Sequence, residues 1–181
     1  MNRTEHFEWQ PHLVGDLLEV RPLRAEDWDG LFAVAADPLI WEQHPARDRH
    51  QEGVFQEFFR EALASGGALV VIDRKTREII GSSRYSGFEP ARGEIEIGWT
   101  FLARSHWGGT YNGELKRLML DHAFMFVEHV VFLIAPTNLR SQKAVAKIGG
   151  VMTERRTKTS PTGELVEQVV YQVKKPATLR R

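Results

Sequence analysis

The 181-residue chain is long enough to bury a core without disulfides or metal, and its 42% hydrophobic and 27% charged residues exclude a disordered or fibrous segment. Lys plus Arg and Asp plus Glu each number 24, so no overall charge steers the chain to nucleic acid or to an anionic membrane. With 0 Cys, a disulfide framework and a thiol nucleophile are excluded, and no run approaches the ~18 apolar residues of a membrane-spanning helix.

In chain order, the polar stretch Met1–Pro11 comes first, then a strand near Leu17–Arg21 and a helix over about Ala25–Ala35. A second helix runs from about Gln51 to Leu63, where Phe55, Phe58, Phe59, Ala62 and Leu63 make one apolar face, and Ser65-Gly66-Gly67 ends it. Ala68–Asp73 and Glu78–Tyr85 read as a hairpin around the polar turn Arg74–Arg77, followed by a strand over Gly93–Leu102.

Three glycines then fall in a strand-to-helix turn, after which Leu115, Leu118, Met119, His122 and Phe126 recur at helical spacing. Val130–Ala135 is a short buried-strand run. Asn138, a good helix cap, and Gly149, a good stop, bracket the next helix. Val151–Thr157 and Leu165–Val173 close the chain as two strands around the turn Ser160–Gly163. Three adjacent hairpin-like strands in the middle argue for an α+β fold with a mixed, mostly antiparallel sheet. One domain over 1–181 is expected, with 1–14 and 174–181 as flexible termini, and the basic Lys174-Lys175-Pro176 and Arg180-Arg181 as a solvated tail.

Two helix starts carry the chemistry. At the glycine turn Trp107, Gly108, Gly109, Thr110, Tyr111 and Asn112, free N–H groups and the positive end of a helix dipole suit an anion such as a pyrophosphate; a plain tight connection is the competing reading. At the second, Asn138, Ser141, Ala144, Lys147 and Gly149 stand at fixed steps, and an ordinary amphipathic helix explains only the apolar positions.

Together these segments resemble the GNAT superfamily, which moves an acetyl group from acetyl-CoA to an amine, in its branch that acetylates ribosomal-protein N-termini. Asp16–Asp27 and Ile79–Tyr85 resemble that branch's first strand with its helix entry and its third strand. The resemblance covers most of the chain and implies the GNAT fold, with helices on both faces of a twisted sheet. The loop departs from the family's pattern, because Thr110 and Asn112 stand where small residues are usual and crowd the backbone at the expected diphosphate.

The resemblance further implies Glu96, two positions before Gly98 on the central strand, as a base; a solvent-facing strand position competes for it, since Ile95 and Ile97 alternate around it. Ser141 resembles the hydroxyl that some members place near the CoA sulfur, and a surface serine is the alternative. Phe101 and Leu102 lend backbone amides to the thioester and pantetheine, and Asn138 and Lys147 belong to the cofactor helix. Lys116 is expected to balance phosphate charge, and Tyr111 to bond the pantetheine or phosphates unless it packs in the core. Trp41, Glu42 and His44, with Arg84 and Tyr85, are expected to shape the amine pocket, an aromatic loop anchor being the other use of Trp41.

A metal site at His44, Asp48 and His50 is set aside because the spacing matches no common site. The acceptor is expected to be a protein N-terminus or a small-molecule amine, with a non-catalytic acyl-CoA-binding module as the alternative function. No nucleic acid, membrane or metal partner is expected. Many such relatives dimerise, though the sequence shows no seam. A reducing cytoplasm fits the absence of cysteine.

Overall fold

The computed structural model describes residues 6–160 and 163–179. Its strands are β1 (Leu13–Val14), β2 (Leu18–Pro22), β3 (Ala68–Asp73), β4 (Ile79–Glu89), β5 (Glu94–Leu102), β6 (His129–Ile134), β7 (Val151–Thr159) and β8 (Leu165–Lys174). The helices are α1 (Trp28–Ala35), α2 (Glu52–Ser65), α3 (Thr110–Ala123) and α4 (Leu139–Lys147). All described strands form one sheet in the order β1-β2-β3-β4-β5-β6-β8-β7. Each neighbouring pair is antiparallel except β5 with β6, so the α+β reading holds.

Strand alternation divides the core in two. Leu18, Val20, Leu69, Val71, Ile95 and Ile97 face α3, with Leu115, Met119 and Val145 packed on them. Val70, Ile72 and Phe101 face the other way, against Leu31, Phe55, Phe58 and Phe59 of α1 and α2. Every side chain of β3 is buried because helices cover both of its faces, which is why Ala68–Asp73 reads as a continuous apolar run.

The expected free termini are partly corrected. Phe7 is 7% exposed, and its ring packs edge-on against Trp9, Tyr85, His122 and Phe126. Gln10 Nε2 donates to the Ala68 carbonyl, and β1 pairs with β2. Aromatic burial outweighs the polarity of the surrounding residues here. At the other end Lys174 pairs with His129, and the Lys175 amide donates to the Glu128 carbonyl. Met1–Glu5, Arg180–Arg181 and the Pro161-Thr162 part of the expected turn lie outside the described residues.

Candidate active site

The site begins where two strands part. Parallel pairing of β5 with β6 covers only Glu94–Glu96 against His129–Val131. Beyond it, β5 bulges: Arg84 pairs with Gly98 and Ser82 with Phe101, so Trp99 and Thr100 both stand opposite Ser83. Trp99 takes φ 52, a left-handed conformation that is strained for a large side chain. Strand separation and bulge together leave the β6-facing edge of β5 without a partner strand over 97–102, and a bulge beside such an opening re-aims the side chains around it.

Glu96 is the last residue of β5 that pairs with β6 and is half-buried. Its carboxylate folds back along the strand over Gly98, where a Cβ would stand 3.1 Å from Oε1. Burial pushes the Glu96 carboxyl up from its ordinary value, opposed by the charges of Lys158, Arg156 and Arg84. A carboxylate that holds its proton more tightly than usual is a better acceptor for one.

On the cofactor side, Gly108 has φ 71 and Gly109 caps α3. A glycine cap supplies no side-chain acceptor, so the cap residue leaves the first-turn amides of α3 without a side-chain partner. A Cβ built on either glycine meets nothing within 4 Å. Space and donors therefore coincide at the start of α3, where Thr110 is exposed and Asn112 half-buried. Across the opening, Asn138 is 6% exposed and caps α4, its Oδ1 accepting from the Ser141 amide at 3.2 Å.

Between the two helix starts stand Trp107 and Arg140. The Trp107 indole donates to the Leu102 carbonyl at 2.8 Å, and the Arg140 guanidinium lies 4.0 Å from the centre of the indole ring. Arg140 is held in turn by the Ile40 carbonyl and by Gln43. The Leu102 carbonyl is thus already used, and Phe101 and Leu102 end the strand beside the opening.

Several expectations are corrected. Lys116 does not face the helix start. It is 5% exposed beneath the opening, where Nζ donates to Thr100 Oγ1 at 2.9 Å and lies 5.0 Å from the centre of the Phe132 ring. Burial brings it down to about 7. The Tyr111 hydroxyl donates to Asp73, which also bonds His106, tying the loop before α3 to the end of β3. Tyr85 follows Arg84 on a strand and so points to the opposite face, where it is 1% exposed and donates to the Met119 carbonyl. Burial raises its phenol far above the ordinary value. Lys147 is exposed at the far end of α4, roughly 13 Å along the helix axis from Asn138 at 1.5 Å per residue.

Of the expected acceptor residues, Trp41 is the loop anchor: it is 3% exposed, its indole donates to the Ala35 carbonyl, and its ring meets Phe101. His44 Nδ1 accepts from the Ala46 amide. Burial, then the charges of Arg49 and Arg140, bring His44 down to about 4, so it is neutral at pH 7. Glu42 is exposed, and its charge acts on Arg140. Arg84 alone of the expected set stands on the sheet beside Glu96, opposite Gly98.

Three residues of the site escape a reading of the sequence. Glu114, four residues into α3, accepts from the amides of Asp16, Leu17 and Leu18 and fixes that helix to β2. Arg49 lies 4.5 Å from the Phe58 ring centre and 5.4 Å from that of Trp41. Arg140 bridges the opening. All act across more than 40 residues of chain or from an irregular loop, and none sits in an apolar period that would mark it.

An unpaired strand edge, open glycines at an uncapped helix start and a second, buried helix cap opposite suit an extended ligand with a phosphorylated head and an acyl end, with a basic carboxylate beside the acyl end. A groove of about 930 Å3 lies elsewhere, between α1, the start of β4 and Ala103–His106. It includes neither Glu96 nor Asn138, so size alone does not mark the chemistry.

The chain and its fold are similar to known proteins. A family model described as an acetyltransferase (GNAT) domain matches residues 18–151. An "Uncharacterized N-acetyltransferase p20" from Bacillus licheniformis is 25% identical over 138 residues, covering 72% of this chain and 77% of that protein. A putative acetyltransferase from T. thermophilus is similar with a TM-score of 0.74 and 25% identity, over 93% of this chain and 92% of the other. The fold is also that of a putative ribosomal-protein-serine acetyltransferase from Vibrio cholerae, at TM-score 0.70 and 14% identity over 91% and 97% of the two chains.

Proposed function

The chain belongs to the GNAT acetyltransferase family and is an acyltransferase, and from that premise we propose that it transfers the acetyl group of acetyl-CoA to a primary amine by direct attack. The observation that carries the reading is the position of Glu96, a carboxyl raised by burial at the point where β5 and β6 separate. Acetyl-CoA, when bound, supplies a thioester whose carbonyl carbon is open to a neutral amine.

Glu96 takes the proton of the incoming ammonium, directly or through one water, because only the neutral amine is a nucleophile. The backbone amide of Leu102, on the open edge of β5, orients the thioester and stabilises charge on its oxygen, while that of Phe101 turns toward β4 as the Ala103 amide does. The amides of Gly108, Gly109, Thr110 and Asn112 hold the diphosphate, and Trp107 covers the arm between them. Asn138 positions the cofactor while capping α4, and Ser141, one turn along, donates a proton to the departing sulfur. Lys116, Tyr111, Tyr85 and Lys147 are left out of these roles by the contacts given above.

The acceptor is a protein N-terminus or a small-molecule amine, approaching from the α1–α2 side. The reading places the protein in the cytoplasm; among the described residues no helix is long and apolar enough to cross a membrane. Release of CoA thiol from acetyl-CoA across an amine panel, wild type beside Glu96→Gln, tests the assignment. Amine-dependent release that falls on the order of 100-fold in the variant is expected, and equal rates would reject Glu96 as the base.

A further inference from the structure

The acceptor side of the sheet carries a charge that proton transfer does not require. Arg84 is 7% exposed, and its Nε and Nη2 atoms are buried with no hydrogen-bond partner. A buried guanidinium left in this state is strongly unfavourable in the free protein, so its retention asks for a partner that arrives from outside. Its immediate surroundings are apolar: the guanidinium lies 4.5 Å from the Trp99 ring centre and 5.7 Å from that of Phe58.

A second guanidinium lies near the same ring. Arg49 is 4.5 Å from the Phe58 centre, and burial, then the charge of Arg84, lowers it to about 10. Two like charges beside one phenyl ring repel each other, and an anion within reach of both would relieve them. Glu61 and Glu96 act on Arg84 through space, yet neither bonds the two orphaned nitrogens. Arg140 in the first turn of α4 and Arg156 and Lys158 of β7 add positive charge around the opening, with Arg156 paired to Glu154. Carboxylates stand among these cations, Glu61 and Glu96 near Arg84 and Glu42 near Arg140, but none of them bonds the orphaned nitrogens of Arg84.

Resting on the acetyl-transfer reading above, we propose that Arg84, assisted by Arg49, binds a carboxylate carried by the acceptor, so that the acceptor is a small amino acid whose amine reaches Glu96. The free Nε–H and Nη2–H are the side-on donor pair of a guanidinium and match the two oxygens of one carboxylate. Arg84 pairs with Gly98, over which the Glu96 carboxylate folds, so the two side chains stand on neighbouring antiparallel strands, about 5 Å apart at the backbone. That interval is spanned by an amine and a carboxylate separated by a few carbons. An unmodified protein N-terminus presents its first carboxyl as an amide and leaves the clamp empty.

The test pairs each acid with its carboxamide: glycine, β-alanine, γ-aminobutyrate and glutamate against the matching amides, with 2-aminoethyl phosphate as the phosphate arm and peptides with acidic or neutral first residues as the protein arm. Thiol release from acetyl-CoA and the heat of binding without acetyl-CoA are both read. At least one acid should exceed its amide tenfold or more in kcat/KM. Arg84→Gln should bring the pair within about twofold through KM, Arg49→Gln should reduce the preference, and acetyl-CoA affinity should be unchanged in both. Because the wild-type charge is unpaired, Arg84→Gln should melt no lower than wild type, whereas a purely structural arginine would lower the melting temperature.

Acid and amide used equally, acetylation of peptides alone, or a preference for the phosphate overturns the proposal. If uncharged amines are acetylated and acids neither bind nor react, the clamp fails and acetyl transfer stands. If acids bind with heat that Arg84→Gln abolishes and no amine is acetylated, the clamp stands and the transfer reading fails.

Discussion

Replacing Lys116 with Met isolates the energetics of the region beneath the strand opening. In the folded chain Lys116 is 5% exposed, its contacts are the neutral Thr100 hydroxyl and the Phe132 ring, and burial lowers it from 10.5 to about 7. The unfolded chain therefore binds this proton more tightly between those two values, and stability rises with pH across the window. Below pH 7 the full cost applies, about 5 kcal/mol at ~1.4 kcal/mol for each tenfold in proton affinity. Methionine has similar length and no charge to desolvate. It forfeits one hydrogen bond and one ring contact, each about 1 kcal/mol, so Lys116→Met should gain about 3 kcal/mol near pH 6. The gain should shrink as pH rises and vanish or reverse near pH 10.5. Urea unfolding of both proteins from pH 6 to 10 reads this directly. A variant less stable than wild type at pH 6, or a gain that does not change with pH, refutes the reasoning. Acetyl-CoA affinity that survives the change would agree with a lysine that does not serve the phosphates.

Glu96→Gln carries a second, independent signature in stability. Because burial raises the folded pKa above 4.5, the native carboxyl destabilises the protein as pH rises above that value. The variant should be at least as stable as wild type at pH 8, with the difference fading below pH 4.5, and wild-type kcat/KM should rise with pH along a limb that the variant lacks. Asn138→Ala should cost about 1 kcal/mol through the lost cap and weaken acetyl-CoA binding; unchanged affinity in the folded variant would remove Asn138 from the site. Glu114→Ala strips the acceptor from three backbone amides and should cost about 3 kcal/mol, so a loss below about 1 kcal/mol in urea unfolding would contradict its role in fixing α3 to β2.

The strand and helix order could be read because each element carries its own period: Ala68–Asp73 is uniformly apolar and covered on both faces, and the Phe-rich face of α2 repeats at helical spacing. The places of Glu96, Asn138 and the two loop glycines in the fold are legible for a similar reason, since each sits at an element boundary that the pattern marks. What failed was direction. Strand parity sends Arg84 and Tyr85 to opposite faces, so a pocket built from both was geometrically closed off. The bulge at Trp99 then shifts parity along β5, bringing Thr100 to the α3 face and Phe101 to the other, which no alternation in Glu94–Leu102 announces. Lys116 and Tyr111 look like cofactor contacts by their nearness to the loop, yet helical rotation turns one under the opening and the other to Asp73, 38 residues away in sequence. The Phe7 cluster hid in a polar stretch because its partners, Tyr85, His122 and Phe126, are distant in the chain.

The central claim is that the opening between β5 and β6 receives acetyl-CoA. Calorimetric titration of the full chain with acetyl-CoA, repeated with Asn138→Ala, tests it most directly. The account predicts one saturable micromolar site for the wild-type protein and weaker binding by the folded variant. No heat and no thermal shift with acetyl-CoA or CoA would contradict it.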